Sequence, residues 1–263
     1  MRNWLFLVCL LCLHFLNKRL IVQRTTPRII WIYWEQGWEE APLVCKYCLR
    51  SWQKYNPTWK IVILDRNNVE QHIKLTTLVP NLWEIKVVAC RSDIIRINLL
   101  RNYGGVWVDA TTFCTRPLDE WLHKHGPFFA FANPLPGRMV ANWFMYSSRK
   151  NYIVEKWCDT FNDYWKGRDR PEDYFVMHHM FKNLYETDYE FKKQWMAVVK
   201  ISANLPHALK YKAKHSAAPL LKRAHIAHKL SPLYKLDHNE FTSECLAQGV
   251  ENIYTYLILY HRL

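Results

Sequence analysis

Two carboxylates and an arginine in residues 92–112 are the groups best placed for chemistry. Asp93 and Arg96 are three positions apart in a helical pattern, so they share one helix face and could reach the same ligand. Asp109 follows a short apolar run, and ligands of open α/β sheets bind outside the carboxyl ends of the strands. A guanidinium grips hydroxyls or phosphate in a forked geometry. These residue types predict a site for a hydroxyl-bearing or phosphorylated ligand.

The stretch that carries these residues is predicted to be a helix followed by a short buried strand. Ser92 is a suitable N-cap, and Asp93 would then lie in the first turn, where its charge complements the helix dipole. Gly104 can adopt the left-handed conformation that closes a helix. The Val-Trp-Val run at 106–108 predicts a buried strand that ends at Asp109.

Elements on either side predict one α/β domain over residues 25–263. The order of a strand at 28–34, a helix at 41–55 and a strand at 59–64 is typical of a βαβ unit, which favours parallel pairing. Further along the chain, the pattern predicts a strand at 128–132, an extended segment at 140–147 and helices at 150–165, 171–185 and 240–259. Residues 202–239 have weak periodicity and are interpreted as loops and short elements that fold over a site.

Composition excludes a disordered chain and points to an anionic partner. Half of the 263 residues are hydrophobic and 13 are tryptophan, which is typical of a folded domain with a large core. The formal net charge of +13 would suit nucleic acid, anionic lipid or a phosphorylated substrate. Because the basic residues are spread along the chain without an arginine-rich tail, the nucleic-acid interpretation is the weaker one.

The only membrane-like segment is the apolar run at residues 4–16. It is shorter than the about 20 apolar residues that a spanning helix needs, and no small-residue cleavage site follows it. We therefore expect an N-terminal anchor or interfacial helix over residues 1–24, with a single-pass anchor as one form of it. Lys18, Arg19 and Arg24 follow the run, which favours a membrane-associated protein with its folded domain on the cytoplasmic side.

Several motifs together carry a family resemblance. They are RIIWIYWEQGWEEAP at 28–42, SDIIR at 92–96, YGGVWVDATT at 103–112, DYF at 173–175 and HKLSPLYK at 228–235. In this combination the chain resembles the capsular polysaccharide synthesis glycosyltransferases. These are similar in turn to a wider group of retaining sugar transferases with an SDxxR and GGxxxD signature, which includes the clostridial toxin glucosyltransferases. The resemblance covers roughly residues 27–236.

The resemblance implies a GT-A fold, with a mixed, mostly parallel central sheet flanked by helices. It implies transfer of a sugar, with retention, from a nucleotide-diphosphate donor to a glycan or lipid-linked acceptor. Asp93 matches the aspartate that holds ribose or sugar hydroxyls, and Arg96 matches the arginine that contacts the donor sugar. Asp109 matches the first aspartate of a DxD motif, which contacts both donor and metal. Asp109 and Arg96 are therefore the predicted catalytic residues.

The first strand and the segment after it match donor-binding segments of the family. Trp31 and Tyr33 match the strand that lies against the nucleobase, although tryptophan and tyrosine in such a strand also serve as core residues. Trp34, Gln36 and Gly37 match the W-x-QG that follows in the capsular group. The first two of these three are predicted to bind substrate.

Four further residues complete the predicted substrate-binding set: Gly105, Asp173, His228 and Lys229. Asp173 could instead interact only with a helix dipole. His228 and Lys229 belong to a basic group with His225 and Lys235, which would stabilise the charge on a leaving diphosphate or form a solvated face.

One departure from the wider group concerns the metal. Most relatives have Asp-x-Asp where this chain has Asp109-Ala110-Thr111. The resemblance implies Mn²⁺ or Mg²⁺, which Asp109 could hold with the substrate phosphates, and Thr111 could assist through its hydroxyl or a bridging water. Two other functions stay open: a non-catalytic relative that binds glycan or nucleotide, and a basic protein that binds nucleic acid or membrane.

Overall fold

A central five-stranded sheet organises the computed structural model, which describes residues 27–209, 218–239, 241, 243–249 and 252–263. The strands of the central sheet are β1 Ile29–Tyr33, β2 Lys60–Leu64, β3 Gly105–Asp109, β5 Phe128–Ala132 and β6 Val140–Ser147. A smaller sheet contains β4 Thr112–Cys114 and β7 Leu233–Lys235. The order in the central sheet is β2-β1-β3-β6-β5.

Four of the five central strands run in the same direction. β1 pairs in parallel with both β2 and β3, whereas β6 is antiparallel to both of its neighbours, β3 and β5. The predicted βαβ unit is present, since the helix α1 Leu43–Tyr55 connects the parallel strands β1 and β2. The predicted fold class, a mixed and mainly parallel sheet flanked by helices, is confirmed.

Helices cover both faces of the central sheet. Besides α1, those in the described part of the chain are α2 Val69–His72, α3 Leu75–Leu78, α4 Val88–Tyr103, α5 Tyr152–Trp165, α6 Val176–Thr187, α7 Tyr189–Ala197, α8 Ala218–Ala227, α9 Ser243–Ala247 and α10 Ile253–Tyr260. Successive strand side chains point to opposite faces. Trp31 and Trp107 thus pack in the layer of α4 and α5, whereas Ile30 and Val108 pack in the layer of α1 and α10.

Three predicted helix boundaries are wrong. α4 begins at Val88, so Ser92 lies inside the helix and its hydroxyl accepts a hydrogen bond from Arg96 instead of capping. The helix predicted from residue 171 begins at Val176, after an Asp173 turn. The helix predicted at 240–259 is interrupted, and Asn252 caps α10 by accepting from the backbone N–H groups of residues 254 and 255.

The predicted N-terminal anchor or interfacial helix over residues 1–24 lies outside the described residues. Within the residues that are described, no helix combines the length and the apolar character needed to cross a membrane.

Two consecutive glycines join α4 to β3. Gly104 and Gly105 have φ values of 68° and 90°, in the region that glycine adopts more easily than other residues. A Cβ on Gly105 would lie 2.6 Å from the carbonyl oxygen of Ile29, so only glycine lets β3 approach β1 closely. This close approach fixes the end of β3 and therefore the position of Asp109.

Replacing Gly105 with alanine is expected to lower the free energy of unfolding by about 2–4 kcal/mol. The cost of a positive φ in a residue with a Cβ and the cost of the steric clash both contribute to this loss. Urea denaturation measures the change. Gly137→Ala is the matched control, since its φ of 76° is similar but nothing lies within 4 Å of the added Cβ. Its cost should be about 1 kcal/mol. Equal losses in the two variants would contradict a steric role for Gly105.

Candidate active site

The predicted site lies at the carboxyl edge of the parallel strands, where α/β sheets bind ligands. Tyr33 ends β1, Asp109 ends β3, and the two residues are register partners across the sheet. α4 contributes Asp93 and Arg96 from one face, and their charged groups are 2.8 Å apart. The structure thus brings the predicted residues Asp93, Arg96 and Asp109 together at this edge.

A cluster of two cations and hydrogen-bonding groups surrounds the Asp109 carboxylate. Its Oδ1 accepts hydrogen bonds from Arg96 Nη2 and from Trp107 Nε1, each at 3.0 Å. Its Oδ2 accepts from Lys235 Nζ at 2.9 Å. The same ammonium donates to Thr111 Oγ1 at 2.6 Å. Both side-chain oxygens of Asp109 and the hydroxyl oxygen of Thr111 therefore accept hydrogen bonds from other side chains.

The small sheet brings Lys235 to Asp109 across 126 positions of sequence. β7 pairs antiparallel with β4, and Lys235 is the register partner of Thr112. The N–H of Leu236 donates to the carbonyl of Thr111 at 2.8 Å, which continues the pairing beside Asp109. The backbone pairing of β7 with β4 therefore fixes the position of Lys235 beside Asp109.

Electrostatics of the two carboxylates differ. Burial by itself would raise the pKa of Asp109, but Arg96 and Lys235 outweigh burial and hold the pKa below its ordinary value. Burial raises the pKa of Asp93 to about 6, since the favourable effect of Arg96 is smaller and the Asp109 charge adds to the rise. Asp93 also accepts a hydrogen bond from Asn142 Nδ2 at 3.0 Å. Asp109 is therefore the permanently charged member.

The cluster forms the boundary between two compartments of one cleft. Both are lined by Arg96, Asp109, Thr111 and Lys235. The first, which we call the Trp34 compartment, has a volume of about 430 Å³ and is also lined by Tyr33, Trp34, Glu35, Gln36, Val88, Ala89, Ser92, Ala110 and His238. The second, which we call the Tyr174 compartment, has a volume of about 370 Å³, and residues bordering it include Asp93, Arg138, Asn142, Trp143, Tyr174, Phe175 and His178.

Aromatic groups define the Trp34 compartment. Trp34 is half-buried and its ring meets His238 edge-on, with 5.7 Å between the ring centroids. Tyr33 donates its hydroxyl hydrogen to Glu35 Oε2 at 3.4 Å, and Glu35 forms a buried ion pair with Arg91. Burial, and secondly the Glu35 charge, raise the pKa of Tyr33, which keeps it a neutral phenol. This wall therefore presents flat rings whose orientation is fixed.

The Tyr174 compartment combines aromatic surface with unpaired polar atoms. Arg138 lies over the Phe175 ring, with its guanidinium carbon 3.2 Å from the ring centroid. Trp143 Nε1, His178 Nδ1 and Arg96 Nε are buried without a hydrogen-bond partner among the described residues. Burial lowers the pKa of His178 to about 4, so its ring is neutral. Buried polar atoms normally have partners, so these three are unsatisfied hydrogen-bonding groups among the residues that line this compartment.

Six predicted substrate-binding residues line the cleft: Tyr33, Trp34, Gln36, Asp93, Arg96 and Asp109. The predicted metal ligand Thr111 lines it as well. Their predicted contacts with donor and acceptor stay predictions. The structure collects them because β1, α4 and β3 all end or begin at the same sheet edge.

Trp31 and Gly105, which are predicted to bind substrate, are placed in the core. Trp31 is buried, donates from Nε1 to the Gly104 carbonyl at 3.0 Å, and packs against the Tyr103 ring. It lies on the same face of the sheet as Tyr33 but two residues earlier in β1, and it does not line the Trp34 compartment. Gly105 lines neither compartment. Its lack of a side chain allows β3 to approach β1 closely.

Three further predicted residues also fall outside the compartment linings. Asp173 accepts a hydrogen bond from the Phe175 backbone at 2.7 Å, so its carboxylate closes the turn before α6. His228 and Lys229 follow the end of α8 and are exposed. Of the basic group at residues 225–235, only Lys235 lines the cleft, because β7 holds it there.

Two features of the site have no clear signal in the sequence. Glu35 lies within the W-x-QG segment, but its role as a support for Tyr33 depends on Arg91 from a distant helix turn. Asn142 and Trp143 lie on β6, where the sequence predicts only an extended segment. The antiparallel position of β6 beside β3 brings both side chains to the Tyr174 compartment.

The donor set fits a divalent metal poorly. Mg²⁺ and Mn²⁺ need carboxylate or hydroxyl oxygens with free lone pairs. Here the Asp109 oxygens and the Thr111 hydroxyl already accept from Arg96, Trp107 and Lys235. Lone pairs remain on Asp109 Oδ2 and Thr111 Oγ1, but a metal ion bound to them would lie beside two cationic side chains. Two unit charges of like sign about 4 Å apart repel by about 4 kcal/mol at an effective dielectric constant near 20, and a divalent ion doubles that cost. Among the described residues, no group of three histidine, cysteine or acidic side chains could hold a metal.

Comparison with known proteins agrees with the motifs. The family model of the capsular polysaccharide synthesis protein matches residues 13–257. The O-glycosyltransferase braB of Annulohypoxylon truncatum is 24% identical over 181 residues, which cover 61% of this chain and 42% of the relative. Glycosyltransferase afumC of Aspergillus fumigatus is 27% identical over 166 residues, covering 56% of this chain and 42% of the relative.

A solved structure, PaToxG Glycosyltransferase, matches with a TM-score of 0.43 and 14% identity, over 65% of this chain and 74% of that chain. The matched part of the chain spans less than half the length of braB and afumC. The family model, by contrast, spans nearly all of the chain and includes every motif around the cleft. The chain belongs to the capsular polysaccharide synthesis protein family.

Proposed function

We propose that this protein is a glycosyltransferase that moves a sugar from a nucleotide-diphosphate donor to a glycan or lipid-linked acceptor in polysaccharide or glycoconjugate synthesis. The observation that carries the proposal is the Arg96–Asp109–Lys235 cluster at the boundary of the two compartments. A transferase needs charge at the bond that breaks and separate space for donor and acceptor on either side. The names of braB and afumC support the same class of activity.

The donor nucleoside occupies the Trp34 compartment in this proposal. Its flat wall of Tyr33 and Trp34 suits a nucleobase, because aromatic rings stack on every base. From there the diphosphate reaches Arg96 and Lys235, which line both compartments. Charge-assisted hydrogen bonds from these cations to phosphate oxygens are about twice as strong as neutral ones.

The transferred sugar and the acceptor occupy the Tyr174 compartment. Asp93 lines it beside Arg96 and can accept hydrogen bonds from sugar hydroxyls. The unpaired Trp143 Nε1 can donate to a further hydroxyl. Tyr174 and Phe175 offer aromatic surface to the apolar face of a sugar ring. An acceptor rich in hydroxyls therefore suits this compartment better than an apolar one.

The reaction proceeds with retention in this proposal. The bond between the anomeric carbon and the β-phosphate oxygen breaks, and its electron pair stays with the phosphate. The acceptor oxygen forms the new bond on the same face, and its proton passes to the leaving phosphate. Asp93 and Asp109 are each engaged by a cation, which leaves the phosphate as the proton acceptor beside the reacting atoms. Arg96 and Lys235 stabilise the charge that develops there.

A thermal-shift screen of UDP-sugars and GDP-sugars tests the proposal, because a ligand of the native state raises the melting temperature. At a donor concentration of about 100 times Kd, the stabilisation is about 2.7 kcal/mol. We expect at least one donor to raise the melting temperature, and to be consumed with release of nucleoside diphosphate. Stabilisation without turnover would instead identify a non-catalytic binder. Salt-sensitive nucleic-acid or vesicle binding without donor preference would contradict the proposal.

Replacing Trp34 with alanine is expected to weaken nucleoside diphosphate binding by about tenfold to 100-fold, since base–aromatic stacking contributes about 1–3 kcal/mol. Titration calorimetry with UDP and GDP measures the change. Trp59→Ala is the control, because Trp59 is a partly exposed tryptophan that lines neither compartment. Unchanged affinity in Trp34→Ala, or an equal loss in Trp59→Ala, would contradict the placement of the nucleoside.

A further inference from the structure

We propose that the Lys235 ammonium takes the position of the divalent metal, so that donor binding and sugar transfer do not require a metal ion. The inference rests on the proposed function and concerns how the same cleft neutralises a diphosphate. It replaces the expectation, drawn from the family resemblance, that Mn²⁺ or Mg²⁺ is held by Asp109 and Thr111.

The ammonium lies between the two groups that a metal would use. Lys235 Nζ is 2.9 Å from Asp109 Oδ2 and 2.6 Å from Thr111 Oγ1. The other carboxylate oxygen, Oδ1, accepts from Arg96 and Trp107. A cation at this position must displace the ammonium or share its ligands. The departure of Thr111 from the second aspartate of a DxD motif agrees with this arrangement, because Asp93 and Asp109 already balance the charges of Arg96 and Lys235.

The position of Lys235 is built into the fold. Its side chain is only 13% exposed, whereas Lys166, in a comparable lysine–aspartate pair at the surface, is 59% exposed. Backbone bonds hold residue 235 from two sides: β4 pairs with it at Thr112, and its own N–H donates to the Pro206 carbonyl at 2.8 Å. A lysine fixed in this way loses little side-chain freedom when a ligand binds.

The Lys235 ammonium has a hydrogen-bond donor to spare for a diphosphate at the boundary of the two compartments. An ammonium has three N–H donors, and Asp109 and Thr111 use two of them. The third is left for a phosphate oxygen of a ligand that bridges the two compartments, both of which Lys235 lines. During transfer the ammonium donates a hydrogen bond to the leaving phosphate and keeps its proton. Together with Arg96 it supplies two positive charges, as a divalent cation would.

Calorimetric titration of the full chain with UDP and GDP, in chelator and in Mn²⁺, tests the proposal. For the wild type we expect the same Kd, within about twofold, in both conditions. Lys235→Met should weaken binding in chelator by about tenfold to 100-fold, the range of charge-assisted hydrogen bonds. Lys235→Arg should keep most of the affinity. Lys166→Met, which removes the exposed lysine of the Asp163 pair, should bind like wild type.

Electron paramagnetic resonance of Mn²⁺ gives a second, direct readout. In the presence of wild-type protein and UDP or GDP, the signal of free Mn²⁺ should not fall beyond the loss caused by nucleotide alone. Wild-type binding that needs Mn²⁺, or full affinity of a folded Lys235→Met variant in chelator, would overturn the inference and leave the proposed function standing. Absence of nucleotide binding in every condition would overturn both.

Discussion

Asp109→Asn is expected to lower sugar transfer by about 100-fold to 1000-fold while the protein remains folded. The substitution keeps the size of the side chain but removes the charge that holds Arg96 and Lys235 in place. Loss of one group that organises transition-state charge typically has an effect of this size. Release of nucleoside diphosphate under saturating donor measures turnover, and circular dichroism checks the fold.

Asp163→Asn is the matched control for this variant. Asp163 also forms an ion pair with a lysine, Lys166, at 2.6 Å, but both side chains are largely exposed and lie outside the compartment linings. Surface ion pairs contribute little to stability, so this variant should behave like wild type. Wild-type turnover by a folded Asp109→Asn protein would contradict the assignment of the reacting centre.

Arg96→Lys is expected to have the second-largest effect, although it preserves the charge. The Arg96 side chain is only 6% exposed, and its guanidinium contacts Asp93, Asp109, the Ser92 hydroxyl and the Asn142 carbonyl. An ammonium cannot reproduce this planar set of contacts. We expect kcat/KM to fall by about 100-fold, and the free energy of unfolding to fall by about 1–3 kcal/mol.

Arg101→Lys, on the same helix, controls for the change of side chain. Arg101 pairs with Asp159 at 2.5 Å, but about a third of its side chain is exposed, and it lines neither compartment. Transfer by this variant should match wild type, with little change in urea denaturation. If both arginine variants lost activity equally, the loss at Arg96 would reflect general helix damage and not its contacts in the cleft.

The part of the site that lies close together in sequence could be predicted. Asp93 and Arg96 share a helix face by their spacing, and Asp109 lies at a strand end because an apolar run precedes it. Both inferences need only the spacing at which side chains repeat on one face of a helix or of a strand. The helix start could not be predicted as well: Val88 begins α4 without a side-chain cap, so the cap-like Ser92 gave a misleading signal.

The contribution of Lys235 depends on pairing that no local pattern encodes. Its strand has three residues, and its partner β4 is just as short, so neither stands out from loop sequence. The sequence groups Lys235 with nearby basic residues, but the chemistry depends on which of them meets Thr112 across the small sheet. Trp31 shows another limit: it shares a sheet face with Tyr33, so the alternation of side chains does not tell which of the two lines the cleft.

Release of nucleoside diphosphate by the wild-type protein, from a panel of UDP-sugars and GDP-sugars in the presence of chelator, is the most direct measurement of the proposed chemistry. We expect at least one donor to be turned over, at a rate that Mn²⁺ changes by less than about twofold and that Asp109→Asn lowers by about 100-fold or more. Failure to release nucleoside diphosphate from any donor, with Mn²⁺ or without it, would contradict a glycosyltransferase centred on Arg96, Asp109 and Lys235.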